Sequence, residues 1–343
     1  LKTKLTILIA IALGIIAGCE RPVEVKEPLQ IEKQPPAEAG ELFTVDFKEG
    51  QTLRYKFGSS RKIVLVWGPG ETKSKSAKDK DTVDESSESM EMVVAYTPVK
   101  VDPYGLTTIK ATCESVNVQR TARKGQRPLK DAVESLGGKS FTFTVRPTGK
   151  IEDYSELEKL IKETGEKAFR PPSAQGRVKE PDMITDFITT QWFLWDSISS
   201  IEKPTEGVSA GQSWKSKLLL PAPMVMWKAR DVTYRLDRIQ QTEKGRVAAI
   251  RSSYSLADSV PPSWPIPYSG SFQVSGRFGL LRGFQVQDLQ GTGEELFNMD
   301  AGRVEQYGQQ YKMQVSAFLL FPLPGTNPQI SIEQRLTMQL LGD

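Results

Sequence analysis

Strict alternation of apolar and polar residues dominates this chain, and it leaves few folds open. Leu53-Arg54-Tyr55-Lys56-Phe57 is one such run, and Ser140-Phe141-Thr142-Phe143-Thr144-Val145 is another. A period of two sends successive side chains to opposite faces of an extended strand, so each run predicts a strand with one buried and one solvated face. The pattern predicts strands over 42–47, 53–57, 61–67, 90–101, 106–118, 140–145 and 213–218, and a hairpin over 234–250. Four more follow over 283–289, 295–299, 304–321 and 330–340. Between them stand turn sequences such as Asp102-Pro103-Tyr104-Gly105 and Asp300-Ala301-Gly302-Arg303. With 27 Gly, 22 Pro and 38% hydrophobic residues, the chain suits a turn-rich antiparallel protein better than a helical bundle.

Helical spacing is confined to the middle. Asp153 or Ser155 starts a helix running to Phe169, with Leu157, Leu160 and Ile161 on one face, and a short helix fits 129–136. Pro181 opens another helix, placing Ile184, Phe187, Ile188, Trp192, Trp195 and Ile198 on one stripe. Residues 71–89 are almost all Lys, Asp, Glu, Ser and Thr and read as a long hairpin loop outside the core. Gly50-Gln51-Thr52-Leu53 recurs as Gly211-Gln212-Ser213-Trp214, and the hairpin around Gly105 recurs around Gly245. Ser271-Phe272-Gln273-Val274 echoes Ser140-Phe141-Thr142-Phe143 in the same order, which suggests an internal duplication. The expected fold is therefore α+β, mostly β: antiparallel sheets from two similar halves, with two central helices.

The N-terminus carries a different message. Lys2 and Lys4 precede an apolar run over 5–18, too short for the roughly 20 residues of a membrane span. It ends in Ile16-Ala17-Gly18-Cys19, the layout of a secretory signal peptide, and these residues resemble the bacterial lipobox. The resemblance implies that Cys19 receives a lipid and becomes the first residue of the mature chain, fixing it to a membrane. Residues 19–41, charged and proline-containing, read as a flexible tether; 42–200 as a first β-rich half with two helices; 201–343 as a second. Glu20 after the cysteine leans toward the outer membrane, facing the periplasm, where an aspartate there would favour inner-membrane retention.

Composition excludes several activities. Histidine is absent, which removes Ser-His-Asp and Cys-His hydrolysis and His-containing zinc sites. With 45 basic and 42 acidic residues, two of the lysines in the leader, no electrostatic footprint for nucleic acid exists. Cys113 is then the lone thiol of the mature chain and reads as a buried strand residue. Asp79, Asp81, Asp84 and Glu85 lack the glycine and terminal glutamate of a calcium loop, so no metal or cofactor is expected. Glu152 and Asp153 read as helix-capping acids rather than paired catalytic carboxylates. Ser213 or Ser216 with Lys217 lacks the Ser-x-x-Lys helix, and the chain is expected not to be an enzyme. The better candidates are apolar: Phe187, Trp192 and Trp195 in the central stripe, Met224, Met226 and Trp227 between strands, and Trp264 in a proline-stiffened loop. Packing against a sheet is the favoured account of them; the sharper alternative is a greasy cleft between sheet and helices that holds an acyl chain or other apolar ligand.

The strand-rich body with its Gly-Gln-Thr-Leu-Arg-Tyr-Lys opening resembles a group of uncharacterised bacterial lipoproteins, which implies an envelope location and no particular activity. The expectation is a non-catalytic, membrane-anchored envelope protein that binds a protein or envelope-polymer partner. The alternative is a carrier for a lipid or other apolar ligand.

Overall fold

The computed structural model describes residues 40–67, 83–121, 131–169, 183, 186–187, 190–191, 194–220, 228–260, 281–319 and 328–342. Ten strands form one antiparallel sheet: β1 (Leu53–Val66), β2 (Val83–Val101), β3 (Thr107–Arg120), β4 (Ser140–Val145), β5 (Ser213–Leu219), β6 (Ala229–Thr242), β7 (Gly245–Leu256), β8 (Leu281–Asn298), β9 (Arg303–Leu319) and β10 (Gln329–Leu340). Their spatial order is β4-β3-β2-β1-β10-β9-β8-β7-β6-β5, two meanders joined where β1 pairs with β10. That seam runs twelve residues, from Tyr55 opposite Leu340 to Val66 opposite Gln329. The protein is mostly β, as its alternation dictates, but the halves share one sheet and are not separate ones.

Alternation decides the faces. In β1 every odd position from Leu53 to Leu65 is buried and every even one is exposed or half-exposed. The buried face carries Tyr55, Phe57, Ile63, Met92, Val94, Phe143, Leu236, Met313 and Ile332. Several predicted boundaries dissolve into longer strands. The runs 53–57 and 61–67 fuse in β1, and 283–289 and 295–299 fuse in β8, whose register shifts at Arg282/Gln285 and Val286/Asp288 absorb the broken pattern. Val83–Ser89 lies in β2, opposite Ser60–Val66, rather than in a loop; a polar strand pairs well when its neighbour supplies the ladder. Residues 42–47 are extended, with Phe43, Val45 and Phe47 buried, but they join no ladder: Val45 N donates to Pro147 O and Asp46 N to Gly302 O.

The helices depart from expectation in position. α1 (Ser155–Phe169) packs with Leu157 and Ile161 against the edge strand β4 and a 3-10 turn at Ala132–Leu136, so it is peripheral and not central. Asp153 Oδ1 accepts from Ser155 N and Oγ, the capping role its position suggested. The stretch after Pro181 is helical at Asp186–Phe187 and Thr190–Gln191 and in α2 (Asp196–Ser199). It lies on the buried face: Phe187 meets Phe141 edge-on at 6.2 Å, and Trp195 meets Phe47 edge-on at 5.7 Å.

Both sheet edges are blunted. Backbone of β4 is covered by 152–156, where Thr144 N donates to Asp153 O and Thr142 N to Glu156 Oε2. β5 is short and carries Lys215 and Lys217.

The repeated sequence is matched by repeated geometry. Gly50 and Gly211 both have positive φ, 80° and 86°. Gln51 N donates to Lys48 O and Gln212 N to Ser209 O, each at 3.0 Å. Gly50 N donates to Pro98 O in β2, and Gly211 N to Leu236 O in β6, each beside a register shift in the adjoining hairpin. Leu53 stands opposite Tyr96 as Trp214 stands opposite Tyr234. The third echo, at 271–274, falls outside the described residues.

Candidate functional site

Of the apolar candidates, Phe187 and Trp195 are buried and packed against Phe141 and Phe143 of β4. Trp192, Met224, Met226, Trp227, Trp264 and Cys19 lie outside the described residues. The apolar pocket beside the central stretch, between Phe57, Leu194, Tyr307, Gln309 and Met338, has a volume of about 10 Å³, the size of one water. Phe187 and Trp195 thus build core.

Sequence reasoning missed the polar groups that hold the central stretch to the sheet. Asp186 is fully buried, takes Arg61 Nη2 of β1 at 2.5 Å and accepts from Gln334 Nε2 of β10. Arg61 Nη1 also reaches Glu88 of β2 at 3.3 Å, and Tyr311 of β9 donates to Gln334. Arg120 of β3 pairs with Asp131, whose other oxygen caps Val133 N. Burial pushes Glu88 up to about 7 against the pull of Arg61 and Arg120, and Asp186 up to about 6 against Arg61 and the Gln334 amide. Burial works against the Arg61 charge, yet Asp186 and Glu88 hold it above its ordinary value. The sequence offered one signal, the charged residues Arg61 and Glu88 at positions where the alternation calls for apolar ones.

A second polar group secures α2. Asp196 accepts from Tyr234 OH at 2.7 Å and from Ser216 Oγ at 3.0 Å, while Ser197 Oγ donates to Glu295 at 2.7 Å and Ser197 O accepts from Trp214 Nε1. Burial pushes Glu295 up to about 8, with the Asp196 charge adding to it against the Ser197 hydrogen bond. The Arg230 guanidinium lies 4.5 Å from the centre of the Tyr254 ring. Ser216, raised by the sequence as a nucleophile, is an Asp196 donor, and Lys217 sits beside Asp231 and Ser259. Cys113 is buried against Met92, and burial pushes its thiol up to about 12, which suits an unreactive core residue.

The opposite face carries the one large cleft among the pockets characterised, about 1210 Å³. It runs over β3, β2, β1, β10, β9 and β8, and reaches Tyr254 of β7, at the level of Arg61, Glu88, Tyr311 and Gln334. Those four are buried toward the core, so the open wall consists of their alternating neighbours: Ser60, Lys62, Ser89, Gln310, Lys312 and Arg335 among others. The exposed side chains of this wall are hydroxyls, amides and charged groups, while Gly291, Tyr254 and Tyr311 add apolar surface to the lining. Lys62 pairs with Glu85 at 2.9 Å and Lys312 with Glu333 at 2.8 Å, and Lys312 holds Glu333 below its usual range. Among the described residues no group of His, Cys, Asp and Glu is arranged to hold a metal. What the arrangement can do is hydrogen-bond a hydrophilic ligand along its length.

Comparison with known proteins adds little to this geometry. No family model matches the chain, and no curated protein matches it. Among solved structures, one reporting lipid–protein interactions in lipovitellin is similar over 87% of this chain and 26% of its own, with 12% identity and a TM-score of 0.45. The outer membrane protein OprG from Pseudomonas aeruginosa matches 87% of this chain and 99% of its own, with 5% identity and a TM-score of 0.21.

Proposed function

We propose that this chain is a lipid-anchored, non-catalytic envelope protein that binds a hydrophilic envelope polymer on the solvent face of its sheet. The observation carrying this reading is the 1210 Å³ cleft, whose exposed side chains are hydroxyls, amides and charged groups. A pure-apolar carrier is less well supported, because Phe187 and Trp195 are spent on packing and the pocket beside them holds about 10 Å³. The anchor rests on Lys2, Lys4 and the Ile16–Cys19 ending. The recurring glycine turns and matching hairpin shifts support descent of the two meanders from one duplicated unit.

Two measurements test the reading. Expressed in a Gram-negative host, the chain is expected in the membrane fraction with a lipid-modified Cys19, and Cys19→Ser is expected to release it; a soluble, unmodified protein would remove the anchor. The purified chain is expected to cosediment with isolated envelope polymers, and Gln310→Trp, which sets a bulky ring in the middle of the cleft wall, to weaken this. A lipid co-extracted at one per chain, with no polymer binding, would instead install the carrier.

A further inference from the structure

Strand register turns the cleft wall into a line. Gln119 stands opposite Ser89, Ser89 opposite Ser60, Ser60 opposite Arg335, Arg335 opposite Gln310, and Gln310 opposite Thr292. All six line the cleft, and they form one row crossing six adjacent strands. Neighbouring strands lie about 4.8 Å apart, so the row spans roughly 24 Å and repeats a hydrogen-bonding group at each strand.

The row contains no acid. Its one charge is Arg335, near the middle and exposed, with no ion-pair partner among the described residues. The lysines of the next row differ, since Lys62 and Lys312 are each matched by a glutamate. Arg335 is thus a guanidinium with its planar fork available, flanked on both sides by hydroxyls and amides that both donate and accept.

We infer that this row is a recognition track for an acidic polysaccharide lying across the strands, with Arg335 receiving a carboxylate or phosphate of one sugar. The inference rests on the polymer-binding reading above and assigns the polymer's class. A fixed interval of nearly 5 Å matches the monomer repeat of an extended sugar chain. It does not match the roughly 3.3 Å repeat of an extended peptide. Hydroxyls and amides at each strand suit ring hydroxyls, and a lone cation at mid-track suits a chain with spaced negative charges.

The test is titration calorimetry of the full chain with an oligogalacturonate hexamer, chitohexaose as a neutral glycan and poly-L-glutamate as an acidic peptide. The hexagalacturonate is expected to bind most tightly, and Arg335→Gln to weaken it about tenfold, the loss of one charge-assisted hydrogen-bond pair. Arg335→Lys is expected to recover only part of that. Lys215→Gln, an exposed cation on the β5 edge outside the cleft, is expected to change nothing. Unchanged thermal unfolding of Arg335→Gln would show that the loss is local. Equal binding of chitohexaose, or an Arg335→Gln variant that keeps full affinity for the acidic sugar, would overturn the track while leaving a polymer site standing. Tighter binding of poly-L-glutamate would assign the cleft to peptide instead. Failure of all three to bind would overturn the track and the polymer reading together.

Discussion

Individual residues show where sequence pattern and energetics part. Arg61 and Glu88 occupy buried-face positions, and Asp186 reaches them from the central stretch. Removing one member of such a buried set leaves the others uncompensated, so Arg61→Met is expected to cost about 3–5 kcal/mol in urea unfolding. Glu295 behaves differently. Its folded-state value of about 8 exceeds the ordinary carboxylate value, so the native state binds a proton that the unfolded chain releases. Its contribution is fully present below about pH 4.5 and declines as pH rises to about 8, by on the order of 1 kcal/mol per pH unit. Glu295→Gln keeps an acceptor for Ser197 and removes the titration. The variant is expected to flatten stability over that range, which chemical denaturation at stepped pH would reveal. Gln309 makes the opposite case. Its amide is buried without a hydrogen-bond partner among the described residues, so Gln309→Leu is expected to leave stability unchanged or raise it by about 1 kcal/mol.

For the elements, most strands were legible because one face is buried and the period of two survives in the sequence. The exceptions have physical causes. Val83–Ser89 is polar after its first residue, and its pairing with β1 makes it a strand. Residues 42–47 have the right alternation but meet loops instead of a ladder. β8 changes register three times against β9, and the first two shifts break the alternation that would have revealed it as one strand. The glycine turns were legible as a repeated motif, and the backbone explains them: Gly211 holds φ at 86°, where a Cβ would be strained although nothing lies within 4 Å of it. Gly211→Ala is accordingly expected to destabilise by about 1 kcal/mol through backbone strain alone, read as a shift in thermal midpoint.

In the whole molecule, the seam between β1 and β10 binds the first and last strands of the sheet's chain path into its centre. The molecule therefore depends on contacts between residues nearly 290 positions apart, such as Tyr55 with Leu340. The two meanders are expected to unfold in one calorimetric transition, and residues 201–343 alone are expected to aggregate, because β10 becomes an open edge. Two resolved transitions would show that the seam is weaker than either meander.

Period, turn residues and composition determined that this chain forms antiparallel strands, that histidine-based chemistry is closed to it, and where α1 begins. These are local properties, written within a few residues of one another. Only tertiary structure decided that two meanders share one sheet, that Asp186 meets Arg61 and Gln334 of distant strands while Ser197 meets Glu295 of β8, and that Ser60, Arg335 and Gln310 stand in one line. Register between strands far apart in sequence sets these relations, and it depends on which strands meet, a choice that no local pattern records.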